Sequence, residues 1–240
     1  MATDGSAPQG THPGRSVTRR PLAIIGDGEH AQVIVDAARS RADEWVVMGC
    51  TGLDARSRGR VGGREPLVWL GDDRTAIAWM AGLDGPERPW LVLGIGLARD
   101  PSEREAIVER YATWDQWATI VHAGAIVSPS ATLAPGAVVL AGAVVGPWAQ
   151  IGAHVVVNSA AILEHDVVVD PYAMVGPGAI VGGGANIGRG ALIGLGASVR
   201  DHRSIGARSV VGMGSVVVAD VAPDSRVAGT PARPMDAIDD

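Results

Sequence analysis

Histidine is the side chain whose unperturbed pKa lies near neutrality, and this 240-residue chain has six: His12, His30, His122, His154, His165 and His202. His165 has the most reactive company, lying between Glu164 and Asp166 with Asn158-Ser159 just upstream. A carboxylate beside an imidazole fixes its tautomer and stabilises the imidazolium that forms when the ring takes a proton. The trio therefore reads as proton-transfer equipment, or otherwise as an ordinary solvated corner. A second chemical signature is Gly26-Asp27-Gly28-Glu29-His30-Ala31, which fits the G-x-G-x-x-G/A pattern of dinucleotide sites. Such a site also needs an acidic residue about 20 positions on, whereas that region reads Met48-Gly49-Cys50-Thr51-Gly52. A loop whose backbone approaches a phosphate or a sugar fits better than a nicotinamide site.

The elements that must position these groups follow from a repeat. From Ala123 to Val218 the sequence divides into sixteen hexads without insertion or deletion, and the fifth position is aliphatic in every one, from Val127 to Val217. The third position is mostly Ala or Ser; Val155, Val167 and Arg203 are the exceptions. Residues two apart on a strand share a face, so both positions point inward. Glycine follows the aliphatic position eight times, for example at Gly146, Gly182 and Gly212, and its freedom at positive φ is expected to turn the corners there. The pattern predicts a prism of short strands whose narrow interior takes only small and β-branched side chains. The absence of Phe, with Gly 33 and Pro 15, agrees. In this register His154, His165 and His202 all point away from the prism interior, which disfavours a buried core role for each.

Residues 21–121 alternate strand and helix patterns: strands at 21–25, 45–48 and 91–96, helices through Val33–Ala38 and from Pro101 to Tyr111. They predict a small parallel α/β domain. Residues 1–20 read as a polar, disordered tail with no secretion signal. A net charge of −6 offers no footprint for nucleic acid or anionic lipid, and no apolar run is long enough to span a bilayer. The lone Cys50 excludes an internal disulfide. A cytoplasmic protein is expected.

The hexads, preceded by a small α/β domain with a Gly-x-x-x-His loop, resemble the hexapeptide-repeat acyltransferases. The subgroup is that of sialic-acid O-acetyltransferases and nucleotide-amino-sugar N-acetyltransferases of the bacillosamine pathway. The resemblance rests on IIGDGEH (24–30), IVHAGAIVSPSA (120–131), VVVNSAAILEHDVVV (155–169) and VAGTPARPM (227–235).

It implies an N-terminal Rossmann-like α/β domain (21–121), an all-β left-handed parallel β-helix of somewhat over five coils (122–223), and a segment closing over the cofactor (224–240). It further implies acetyl-CoA as acyl donor, a sugar or nucleotide-sugar acceptor, a homotrimer with the CoA between neighbouring prisms, and no metal. In this resemblance His165 is the general base, Asp166 its partner and the Gly183 N–H the oxyanion donor. Gly183, Gly184, Met174, Gly229 and Pro231 would line the CoA site; Gly26, Gly28, His30 and Asn158 the acceptor site. His122 would be structural and Trp148 would lie at a subunit interface. Two departures stand out. Related UDP-sugar enzymes carry paired aspartates where this chain has Gly49-Cys50-Thr51-Gly52, and Met174 replaces a second histidine near the thioester. The acceptor thus stays open among another nucleotide-sugar, a free sugar and a glycosylated metabolite, and so does the choice of amine or hydroxyl. Other readings are a non-catalytic trimeric scaffold, which would need neither the His165–Asp166 pair nor a front domain, and a carbonic-anhydrase-like metal enzyme. The latter lacks the close histidine pair it requires.

Overall fold

A computed structural model describes residues 19–52, 67–96 and 102–235. The N-terminal tail and the last five residues lie outside the described residues. The N-terminal unit is a three-stranded parallel sheet of order β2-β1-β3: β1 (Arg20–Ile25), β2 (Trp45–Cys50) and β3 (Trp90–Leu93). The crossovers carry α1 (Glu29–Arg39) and α2 (Asp73–Met80); α3 (Ser102–Arg110) follows β3. The sequence reading did not anticipate α2, which Asp72 caps by accepting the Thr75 N–H at 2.7 Å. Strand alternation sorts the core. Leu22 and Ile24 pack with Ile34 and Val35 of α1, and Ala23 and Ile25 pack with Met80, Val108 and Tyr111 on the other side. Both faces are covered, as a parallel sheet requires.

From Ile120 onward the chain coils into a three-faced parallel β-helix. The first face stacks Ile120, Val138, Val156, Met174, Leu192 and Val210, each paired with the residue 18 positions on. The second runs from Ile126–Val127 to Val216–Val217, and the third from Thr132–Leu133 to Ser204–Ile205. With the rung at Ile120–Val121 and the closing strand Arg226–Gly229, the solenoid reaches about six turns, slightly beyond the hexads themselves. Its interior holds the third- and fifth-position residues, Ala137, Val139, Ala143 and Val145 among them, all fully buried. The N-terminal unit lies on the first face: Ile120, Val138, Val156 and Met174 share one core with Ile24 and Ile34.

The corners are built differently from the expectation. Positive φ falls on the second residue of fourteen consecutive hexads, from Gly136 to Gly214, and seven of these are not glycine: Trp148, His154, Ala160, Asp166, Tyr172, His202 and Arg208. The glycine after each aliphatic residue has ordinary φ and serves another purpose. A Cβ on Gly182 would come within 2.5 Å of Asp201 N, and one on Gly146 within 2.7 Å of Glu164 C. These glycines let successive coils stack backbone against backbone. Left-handed backbone costs an L-residue about 1–2 kcal/mol. Ala160 is exposed at φ +56°, so Ala160→Gly is expected to stabilise the protein by about 0.5–1 kcal/mol after the entropy cost of glycine. Thermal unfolding checks this; a lower midpoint would show that the alanine is not strained.

Candidate active site

The corner between the second and third faces carries His165 and Asp166. Asp166 occupies the left-handed position at φ +58°, which aspartate tolerates better than most residues. Its Oδ2 lies 2.8 Å from His165 Nδ1. An ionised carboxylate can only accept, so Nδ1 carries a proton, and in the corresponding tautomer Nε2 is the bare nitrogen. Both side chains are more than half exposed, at 56% and 57%, so the pair faces solvent instead of being locked in a core. One coil on lies Gly183. A Cβ there would come within 2.5 Å of His165 Nε2, so the imidazole rests directly on this glycine. The backbones are tied as well: the Gly184 N–H donates to His165 O and the His202 N–H to Gly183 O, both at 2.9 Å. Among the described residues the Gly183 N–H has no protein acceptor. A lone pair, its orienting carboxylate and an unused N–H thus meet on one edge.

Other candidates lie elsewhere. Met174 points outward from the first face but is only 7% exposed, because the N-terminal unit covers it in the core shared with Ile24 and Ile34. It cannot line a CoA groove, and that assignment is corrected. Asn158 lies at the corner between the first and second faces, across the second face from His165. Gly229 and Pro231 belong to a terminal hairpin in which Arg226–Gly229 pairs with Ala232–Pro234. Trp148 is 61% exposed on the His165 edge. His122 Nδ1 accepts the Gly124 N–H at 2.8 Å, and its Nε2 lies 3.9 Å from Asp36 of α1, bracing the junction of the two units.

His154 stays out of the prism core as expected, but it is buried all the same. The ring does leave the prism, yet it is 5% exposed, wedged between Trp117 (centroids 4.6 Å) and Tyr172 (5.2 Å, stacked) beneath the N-terminal unit. Burial first, then the Arg104 guanidinium, lowers its pKa to about 4. The same two causes hold His30 at about 4. His30 Nε2 is buried without a partner, so that ring is set into the seam of the molecule. Gly26 (φ +103°) and Gly28, the residue preceding α1, do form the loop after β1.

A cavity of about 330 Å³ opens beside that loop at the carboxyl ends of the strands, where ligands of open α/β sheets lodge. Thr51 Oγ1 accepts the Gly26 N–H at 3.2 Å and lies 3.4 Å from Asp73 Oδ1. Asp73 also accepts from Tyr111 OH at 2.7 Å and Arg110 Nη1 at 2.8 Å. Burial, then the bond to Asp73, raises the pKa of Tyr111. The sequence reading missed Asp73, Arg110 and Tyr111; the one available signal was an acidic helix start following a parallel strand. Among the described residues no group of three or more His, Cys, Asp or Glu could hold a metal ion. No described helix is long and apolar enough to cross a membrane.

No family model matches the sequence, and no curated protein does. Solved structures do. The acetyltransferase domain of PglB from Neisseria gonorrhoeae, in complex with acetyl coenzyme A, is 32% identical over 90% of this chain and 100% of that one, with a TM-score of 0.77. PerB from Caulobacter crescentus, in complex with CoA and GDP-perosamine, is 30% identical over 90% of this chain and 97% of its own, also with a TM-score of 0.77. WeeI from Acinetobacter baumannii shares the fold at 18% identity and a TM-score of 0.68. With its six-turn solenoid, its small α/β front unit and this identity over nearly the whole chain, the protein belongs to the hexapeptide-repeat acetyltransferases of the left-handed β-helix class.

Proposed function

We propose that this enzyme transfers an acetyl group from acetyl-CoA to an amine or hydroxyl of a nucleotide-linked sugar, with His165 as general base. The observation that carries the reading is the His165–Asp166 pair, its free Nε2 resting on Gly183. The acceptor heteroatom attacks the thioester carbonyl while Nε2 takes its proton. Asp166 stabilises the resulting imidazolium, and the Gly183 N–H holds the oxyanion. Collapse breaks the C–S bond and releases CoA. The structures with acetyl coenzyme A and with GDP-perosamine support the donor and the acceptor class. The cavity bounded by Gly26, Thr51 and Asp73 suits the nucleotide, with the Gly26–Gly28 loop near its phosphates.

One protomer cannot join these sites. The N-terminal unit covers the first face, and His165 stands on the edge opposite that face. The second face, beside His165, presents outward a row of Ile126, Val144, Ile162, Ile180, Ser198 and Val216, apolar but for the serine, with Ile126 66% and Ile180 43% exposed. Such an apolar row suits packing against another prism. In the proposed homotrimer, Asn158 and Trp148 border that contact, and CoA runs past Gly184 toward the Gly229–Pro231 hairpin. A CoA donor suits a reaction in the cytoplasm.

The test measures thiol release from acetyl-CoA against GDP-, UDP- and dTDP-linked amino sugars and free sugars, with sedimentation of the same preparation. The expected result is a trimer that turns over one nucleotide-sugar selectively. A well-folded protein that binds acetyl-CoA but releases no thiol with any acceptor points to the scaffold reading, and a monomer sinks the shared-site arrangement.

A further inference from the structure

The edge that carries His165 holds a second imidazole. His202 lies two coils further along, at the left-handed position with φ +54°. Its side chain leans back over the glycine step: a Cβ on Gly184 would come within 2.5 Å of His202 Nδ1 and 2.7 Å of its Cε1. His165 leans onto Gly183 from the coil on the other side. Gly183 and Gly184 are adjacent, with Cα atoms about 3.8 Å apart, so two rings from opposite coils flank one two-residue floor. The His202 N–H also donates to Gly183 O at 2.9 Å, which ties the second ring to the residue holding the oxyanion.

We propose that His202 is the proton donor to the departing CoA sulfur. This rests on the transferase reading given above. His165 is committed to the acceptor: it must arrive unprotonated, and it leaves the addition step as imidazolium. Scission of the C–S bond places the electron pair on sulfur, and a thiol with an ordinary pKa of about 8.5 is released faster when protonated as it leaves. A thioester lying on Gly183-Gly184, its carbonyl oxygen on the Gly183 N–H, has His165 on one side and His202 on the other. The acceptor's proton passes to His165 and the His202 proton to sulfur. Exchange with solvent then resets both rings, so the sum is acceptor plus acetyl-CoA giving acetylated acceptor plus CoA thiol. The charged neighbours of His202 are Asp201, Arg200 and Arg203 on its own coil, Asp220 from the next, and His165 with Asp166 from the coil beyond Gly184.

A base that must be bare and an acid that must be charged give a bell-shaped pH profile of kcat/KM, whose alkaline limb belongs to His202. His202→Asn and His202→Gly both suit the left-handed position; the first is expected to keep the wild-type melting temperature and the second to keep or raise it. Both should lower kcat with acetyl-CoA by about 10- to 10²-fold, at the modest end for proton-transfer catalysis, and both should lose the alkaline limb. The acceptor KM should change little. Wild-type turnover is measured first; its absence overturns the transferase reading and this proposal together. In an active enzyme, an unchanged kcat, an alkaline limb that persists in both variants, or a rise in acetyl-CoA KM alone overturns the proton donor and leaves the transferase standing.

Discussion

Replacing His165 by Asn should lower kcat by about 10²–10⁴-fold, the range for loss of a positioned general base, without changing the melting temperature. The side chain is more than half exposed and its one side-chain bond is to Asp166, so the fold loses little when the ring goes. The neighbouring positions divide the effect. Asp166→Asn keeps a residue that tolerates φ +58° but replaces the acceptor on Nδ1 with an amide, which no longer enforces the tautomer or stabilises the imidazolium. A loss of about 10- to 10²-fold is expected. Gly183→Ala drives a methyl group to 2.5 Å from Nε2. It should push the ring aside and approach the His165→Asn loss while the base itself is still present. Steady-state kinetics of the three variants beside the wild type decide the matter. Turnover that survives His165→Asn would remove the base from this edge altogether.

Arg104→Ala should destabilise the protein by about 3 kcal/mol, the scale for orphaning buried polar groups around a removed charge. Arg104 comes from α3, is 2% exposed, and donates to Tyr172 O at 2.8 Å and His154 O at 2.7 Å, in two successive coils. Its neighbour Glu105 pairs with Arg189 of the next coil, so α3 fastens the front unit to three rungs of the prism. Burial depresses the pKa of Arg104 to about 10, and it stays charged at neutral pH. Burial first, and then this buried cation, keep His30 and His154 neutral down to about pH 4.

The sign of the pH effect follows. Unfolded, each imidazole takes a proton near pH 6.5; folded, it does not until about 4. Below 6.5 the unfolded chain therefore binds more protons, and stability declines as pH falls. The stabilisation is complete above about 6.5 and is lost progressively on the way to 4, at about 2–3 kcal/mol for each histidine. Melting temperature against pH should fall steeply across this window, and less steeply in His154→Gln. A flat curve from pH 6.5 to 5 would show that neither ring is sealed in the seam.

The prism was legible because a solenoid is a nearly one-dimensional object. Each coil contacts only its neighbours, so inward and outward positions repeat every six residues and Val127 through Val217 can be read off the chain. The placing of His165 on a corner with Asp166 beside it is equally local. Everything that depended on what covers what was not. The pattern marks Met174 and His154 as outward, which they are, but only the docking of the front unit on the first face and its edge buries them. The corners misled for a related reason. Hexads contain glycine both where φ is positive and where the next coil presses close, and sequence alone does not distinguish a twist from a close approach. Thr51, Asp73 and Tyr111 are separated by 22 and 38 residues, and Gly184 and His202 belong to different coils. Crossovers and coil stacking bring each set together, and no periodicity along the chain records where they meet.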